Sequence, residues 1–420
     1  MIRGRRRDLL VIGGGPAGLA AAIKGRELGL DVLLLENREI LGGIPLQCVH
    51  PGFGLHYFGE DLTGTEFIQR FVDKFERMGI ECVLGGHLSS MSLVSDLEKE
   101  VKVITSRGIL SLRATAVVYA TGARERHLHE IGVAGSRAPG VFTAGEAQTM
   151  MDIYGIMPGR EVVIVGSGDV GLIMARRFAL EGASVRAVVE LMPYPGGLTR
   201  NVAQCLEDFG IPLYLSHAVV AVEGSKRVER VRIASVGEDL KPLPGTEREI
   251  GCDTLVVAAG LVPYIKVLEG LGVIRDESTR GPVVNDLLET SVPGVFVAGN
   301  AMAINDLVDH VVEQGERAAL GAFEFASRGG ISTRRWRVLA KGANVRILVP
   351  HMVSGEEDVT VYARVSRPIR RARVVFPEIG KELRLPVARP AEMVSVRLRR
   401  EEIDRAGDRI TMEVLEDGRG

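Results

Sequence analysis

Two segments of this chain repeat one pattern: an apolar strand, a glycine loop, a helix of small residues and a second strand ending in glutamate. The first begins at Asp8-Leu9-Leu10-Val11-Ile12, turns through Gly13-Gly14-Gly15-Pro16-Ala17-Gly18, continues as a helix over 19–28 and ends in a strand over 31–36. The second begins at Glu161-Val162-Val163-Ile164-Val165, turns through Gly166-Ser167-Gly168-Asp169-Val170-Gly171, and follows with a helix over 172–180 and a strand over 184–190. Strands that alternate with helices in this way lie side by side and point the same way. The duplication therefore predicts an α/β fold with parallel sheets.

Each loop follows a strand and opens a helix, so its amides and the helix dipole can meet a pyrophosphate. The last glycine, Gly18 or Gly171, permits close packing of helix on strand. About twenty residues on, at the end of the next strand, stand Glu36 and Glu190, where a carboxylate can accept both hydroxyls of a ribose. One G-x-G-x-x-G decides little, because glycine loops join many strands to helices. Two in the same context point to two Rossmann-like dinucleotide-binding domains. Three further strands run out into glycine, at Ala120-Thr121-Gly122, Ala258-Ala259-Gly260 and Ala298-Gly299-Asn300. After Gly329-Gly330 the pattern changes to short β-prone runs over 345–349, 359–365 and 394–398, split by Pro and charged turns. That predicts a small β-rich C-terminal domain for packing or oligomerisation.

Composition narrows the function classes. A chain of 420 residues with 46% hydrophobic and 25% charged residues has the profile of a soluble globular protein of two or three domains. A net charge of −2 gives no global pull towards nucleic acid or a membrane surface. The basic start through Arg5-Arg6-Arg7 imitates a signal peptide, but Asp8 and the glycines at 13–15 interrupt what would have to be one apolar helix. No uninterrupted apolar stretch reaches about 18 residues, so no membrane insertion is expected. Cys48, Cys82, Cys205 and Cys252 form no C-x-x-C pair. This argues against a disulfide framework and a cysteine-ligated metal cluster, and a reducing cytoplasm is expected.

With these motifs, the chain resembles the two-dinucleotide flavoproteins of the pyridine nucleotide-disulfide oxidoreductase superfamily over about residues 8 to 330. The resemblance implies that the first unit binds FAD through Gly13, Gly15, Pro16, Ala17, Gly18 and Glu36, with Gly43, Thr121, Gly122, Gly299 and Asn300 also in contact. It implies that the second binds NAD(H) through Gly166, Gly168, Asp169, Val170, Gly171 and Glu190, with Gly260 nearby. Asn300 departs from the superfamily's Gly-Asp motif: it can hydrogen-bond a ribityl hydroxyl but brings no negative charge. The implied domains are an FAD domain at 1–155 and 283–330, an inserted NAD domain at 156–282 and a β-rich domain at 331–420. A narrower likeness runs through residues 41–55, which include Gly42-Gly43 and Gln47-Cys48-Val49-His50, Leu62-Thr63-Gly64, residues 140–148 and Asn305-Asp306-Leu307-Val308-Asp309. It is to the NAD/FAD oxidoreductases that accompany anaerobic-type glycerol-3-phosphate dehydrogenases.

Cys48 and His50 are the candidate catalytic residues. In the disulfide reductases a redox-active cysteine pair follows Gly-Gly beside the flavin, whereas here Cys48 has no second cysteine near it in sequence. Relay through a dithiol is therefore not expected. A lone thiol can cycle through sulfenate or a mixed disulfide, or give a thiolate contact to oxidised flavin, and His50 can stabilise it or shuttle a proton. The alternative is that both only line the pocket. Cys82, Cys205 and Cys252 read as buried small hydrophobes. His310, near the start of the last FAD-domain helix, reads as a capping or surface residue, with the flavin edge as the alternative. Arg370-Arg371-Ala372-Arg373 has no interleaved aromatics and reads as a solvated face.

The function expected is hydride transfer between nicotinamide and flavin, coupled to a partner flavin dehydrogenase subunit within a homo- or hetero-oligomer. A free-standing NADH oxidase or reductase of oxygen, quinone or disulfide is one alternative. A non-catalytic flavin-containing assembly subunit is another. No metal and no nucleic acid are expected.

Overall fold

The computed structural model describes residues 5–330 and 334–417. The first four residues of the basic start lie outside them. The chain divides into two units, Met1–Ala123 with Pro263–Gly420, and Arg124–Val262.

The first unit is built on a seven-stranded sheet whose glycine-loop strands are parallel, as expected. Arg6–Ile12 lies between Val32–Leu35 and Gly108–Tyr119, and Val295–Val297 pairs with the far side of Gly108–Tyr119. The register is level at the carboxyl ends: Ile12 is opposite both Leu35 and Tyr119, and Val297 is also opposite Tyr119. Gly13, Glu36, Thr121 and Gly299 therefore leave the sheet at one edge, where open α/β sheets bind their ligands. An antiparallel hairpin, His87–Ser95 with Glu98–Thr105, extends the sheet on the Gly108–Tyr119 side and makes it mixed.

The helix Pro16–Glu27 starts with Pro at its first turn, where the missing N–H costs nothing. Its alanines 20–22 are at most 1% exposed. Small residues let the long helix Val308–Arg328 come close: a Cβ on Gly315 would lie 2.2 Å from the carbonyl oxygen of Ala17.

The second unit repeats the scheme. Its five-stranded parallel sheet runs Val141–Thr143, Thr254–Val257, Glu161–Val165, Ser184–Val189, Leu213–Tyr214. Val165 is level with Val189 and Val257, so Gly166, Glu190 and the Gly260 turn leave from one edge too. A second sheet of four strands, from Ala134–Gly135 through His217–Gly224 and Val228–Ser235 to Arg248–Gly251, completes the unit.

The unit's limits differ from the 156–282 read from sequence. Residues 124–155 belong to it because Ala134–Gly135 and Val141–Thr143 pair with its strands. Residues 263–282 belong to the first unit because Ile265 and Leu268 are buried in that unit's core.

The C-terminal region is β-rich and has its own core, which includes Leu348, Val361, Phe376, Leu398 and Met412. It combines a five-stranded and a three-stranded sheet and groups with the first unit. Arg370 and Arg371 are exposed on the strand Ile369–Phe376, in keeping with a solvated face. Cys205 and Cys252 are buried, Cys82 is half-buried, and burial raises the pKa of all three thiols, that of Cys252 to about 11. No helix among the described residues is long and apolar enough to cross a membrane.

Candidate functional site

The two glycine loops have the same internal construction. The amide of Gly13 bonds Leu35 O and that of Gly166 bonds Val189 O, each at 2.8 Å. Both first glycines have positive φ, +106° and +96°, and a Cβ on either would lie 2.3 Å from a carbonyl oxygen of the next strand exit, Ala120 or Ala258. The last glycines are tighter still in the first loop: a Cβ on Gly18 would fall 1.7 Å from Gly13 O, and one on Gly171 2.3 Å from Gly166 O. These four positions are glycine because the chain's own packing requires it.

The middle glycines are different. Gly15 and Gly168 have φ of −81° and −65°, values any residue adopts. A Cβ on Gly15 would meet only Gly43 Cα, at 3.9 Å, and one on Gly168 would meet nothing within 4 Å. The protein itself does not demand glycine there. Glycine there leaves the backbone open to a molecule lying against it, as a pyrophosphate would.

Glu36 and Glu190 are both buried, and each locks its loop. Gly14 N donates to Glu36 Oε2 at 2.6 Å and Arg38 N to Oε1 at 2.8 Å. Ser167 N donates to Glu190 Oε2 at 2.9 Å and Met192 N to Oε1 at 2.8 Å, with Ser167 Oγ adding a bond of 2.6 Å. A carboxylate has about four acceptor positions, so both keep capacity for a ribose hydroxyl. This locking role was not foreseen from sequence. Asp169 Oδ1 accepts from Leu198 N at 2.8 Å and Asn201 Nδ2 at 2.7 Å, and its amide lies on the first turn of the helix Asp169–Leu180. Val170, on the same turn, is exposed.

Around the first loop, Gly43 has φ +67° and its Cβ position is 2.9 Å from Gly15 Cα. Thr121 Oγ1 donates to Tyr264 O at 2.8 Å, and Tyr264 N returns a bond of 3.0 Å to Gly122 O. Gly299 (φ +67°) sits against Ala17 and Val311 and donates to Gln314 Oε1 at 3.2 Å. Asn300 Oδ1 accepts from Asn305 N at 2.9 Å, which leaves its side-chain amide as the donor for a ligand.

Cys48 is 8% exposed and closes the short 3₁₀ turn Ile44–Gln47, its Sγ 3.6 Å from Ile44 O. It is packed against the capped start of the helix Gly64–Arg77, where a Cβ on Gly64 would lie 2.6 Å from Cys48 Cβ. His50 Nδ1 is 2.9 Å from Pro51 O and its ring lies 5.4 Å from that of Phe53.

The segment after them is held by Asp309, which the sequence reading quoted as part of a motif without giving it this role. Asp309, 1% exposed, accepts from His56 N at 3.1 Å and Tyr57 N at 2.8 Å. Tyr57 in turn donates to Glu316 Oε1 at 2.6 Å, and burial beside that carboxylate pushes its phenol well above the ordinary value. His310 is neither a cap nor a surface residue: it is half-buried, its ring 5.0 Å from that of Tyr362, and burial lowers its pKa.

A family described as pyridine nucleotide-disulphide oxidoreductase matches residues 7–318. The chain belongs to that family. It is 30% identical over 343 residues to a dihydrolipoyl dehydrogenase of Pseudomonas aeruginosa, covering 75% of this chain and 70% of that protein. It is 29% identical over 327 residues to one of the subunits of an opine oxidase from Agrobacterium tumefaciens, covering 71% of this chain and spanning 61% of that relative's length. Among solved structures, the thioredoxin reductase of T. acidophilum matches with a TM-score of 0.65 at 24% identity, over 77% of this chain and 100% of that one, a likeness of fold.

This pyridine nucleotide-disulphide oxidoreductase is therefore an FAD- and NAD(P)-dependent enzyme, and the reading as a non-catalytic assembly subunit gives way. The two loops fit two dinucleotides. The C-terminal β-rich region lies beyond the family match.

Proposed function

We propose that this chain is an NADH-linked flavoenzyme that exchanges electrons with a second redox protein instead of a disulfide substrate. FAD would rest on the amides and open face of the loop 13–18, beside Gly43, Thr121-Gly122 and Gly299-Asn300, with Glu36 at its ribose. NADH would rest on the loop 166–171, near Gly260, with Glu190 at its ribose. FAD, when bound, supplies a donor and acceptor of hydride for nicotinamide. The chain's part is to hold each pyrophosphate on preset amides and to place Cys48 and His50 in the segment that follows Gly42-Gly43.

The observation that carries the proposal is that no second cysteine stands near Cys48 in sequence to form a redox pair. The next cysteine in the chain is Cys82, and Cys205 and Cys252 lie in the cores of the other unit. No disulfide forms and no metal-binding cluster exists among the described residues. Among the described residues there is therefore neither a dithiol nor a metal centre to carry electrons onward from the flavin. A dehydrogenase that oxidises a small metabolite such as glycerol 3-phosphate is the partner, and the likeness to an opine oxidase component that is itself named as a subunit supports that kind of assembly. Four unlinked thiols fit a reducing cytoplasm.

Purification from the native source followed by mass spectrometry is expected to recover a second flavoprotein with this chain. NADH turnover by the pair should exceed that of this chain alone. A chain that emerges alone and turns over NADH with quinone or oxygen as fast as any mixture would establish the free-standing reductase.

A further inference from the structure

The C-terminal region, beyond the family match, meets the glycine-loop part of its own unit just after Gly299-Asn300. The segment 302–307 joins the Gly299–Ala301 turn to the helix Val308–Arg328. Arg364, 9% exposed on the strand Val359–Val365, reaches into this segment. Its Nη2 donates to Ile304 O at 3.3 Å and to Asp306 Oδ1 at 3.2 Å, while Nη1 donates to Pro390 O at 3.1 Å and to Ala391 O. Met393 N donates to the other Asp306 oxygen at 2.8 Å. Tyr362, two residues before Arg364, donates to Glu313 Oε2 at 3.0 Å.

The bonding continues inward from Asp306. Its neighbour Asn305 donates to Asn300 Oδ1 through its backbone, and accepts from Gln314 Nε2 at 2.9 Å. Gln314, 2% exposed, accepts from the amide of Gly299. Gly299 and Asn300 are the residues of the late flavin motif. A planar guanidinium with four acceptors fixes a corner far better than a flexible ammonium could, and its partner carboxylate is almost as buried.

We infer that the C-terminal β-rich region is a built-in clamp on the flavin-binding corner, with Arg364 acting through Asp306 as the positioning residue for Asn300. The inference rests on the assignment of FAD to the first unit. It gives the region a task besides packing: the flavin's affinity and potential are set partly by a segment outside the family's common core.

Three variants test it: Arg364→Met, Asp306→Asn, and Ser354→Ala as a control. Ser354 bonds Asp286 at the same interface through N and Oγ, both at 2.7 Å, away from the 304–306 corner. The readouts are FAD dissociation, the position of the flavin absorption bands, the two-electron potential and the melting temperature of the apoprotein.

Arg364→Met and Asp306→Asn are expected to release FAD at least tenfold more readily and to move the bands and the potential. Ser354→Ala should lower the melting temperature and leave the flavin properties alone. If Arg364→Met does not fold, Asp306→Asn, which keeps the shape, decides. A loss of melting temperature in these variants with flavin affinity, bands and potential no different from Ser354→Ala would overturn the clamp. Failure of the folded wild-type protein to bind FAD at all would instead overturn the cofactor assignment.

Discussion

Gly15→Val is expected to yield a folded, colourless protein whose FAD affinity is weakened by about a hundredfold or more, equivalent to about 2.7 kcal/mol. The expectation follows from the space around that residue. With φ at −81° and only Gly43 Cα within 4 Å of a Cβ, a side chain fits the backbone and meets little of the protein. What it would meet is the pyrophosphate. Gly18 gives the contrast: a Cβ there collides with Gly13 O at 1.7 Å, so Gly18→Val should fail to fold properly with or without cofactor. Thermal melts of the apoproteins and fluorescence titration with FAD separate the two. Gly15→Val that is as poorly folded as Gly18→Val, or that binds FAD normally, would refute the division of labour within the loop.

Reduction of the flavin by NADH is expected to be about a hundredfold more efficient than by NADPH. Glu190 stands at the end of the strand Ser184–Val189 with both oxygens held by loop donors, so its charge cannot swing away. Like charges about 4 Å apart repel by about 4 kcal/mol at an effective dielectric of about 20, and salt reduces this at a site open to solvent. Leu191-Met192-Pro193 supplies no adjacent cation to offset it. Glu190→Gln should bring the ratio below about tenfold. The amide still accepts from Ser167 but turns an N–H towards Met192 N, a loss common to both cofactors, so the ratio isolates the charge. Rapid mixing of the protein with each nucleotide measures it. Equal efficiency in the wild type would refute the role given to Glu190.

The parts of the fold that were legible in the sequence are those encoded locally. Each strand, loop and acid of the two repeats occupies about thirty consecutive residues, so spacing alone reveals the unit. The limits of the second unit were not legible, because Ala134–Gly135 and Val141–Thr143 are strands of two and three residues with no periodicity to recognise. The role of Asp309 was not legible for a related reason. The amides it holds belong to His56 and Tyr57, more than 250 residues earlier, and nothing near Asp309 in sequence announces them. The lock formed by Glu36 hides behind its better-known role, since ribose recognition and loop closure call for the same residue at the same place. Arg364 and Asp306 are 58 positions apart, and only the fold makes them partners.

Anaerobic titration with NADH tests the central claim most directly. A flavoenzyme with a dithiol partner on the same chain takes up four electrons, two on flavin and two on the disulfide, and so consumes two equivalents of NADH. With Cys48 alone beside Gly42-Gly43, the flavin of this protein should be fully reduced by one equivalent per chain, and Cys48→Ser should leave that number unchanged. Consumption of two equivalents before reduction is complete, falling to one in Cys48→Ser, would show a second redox centre at Cys48 and contradict the account.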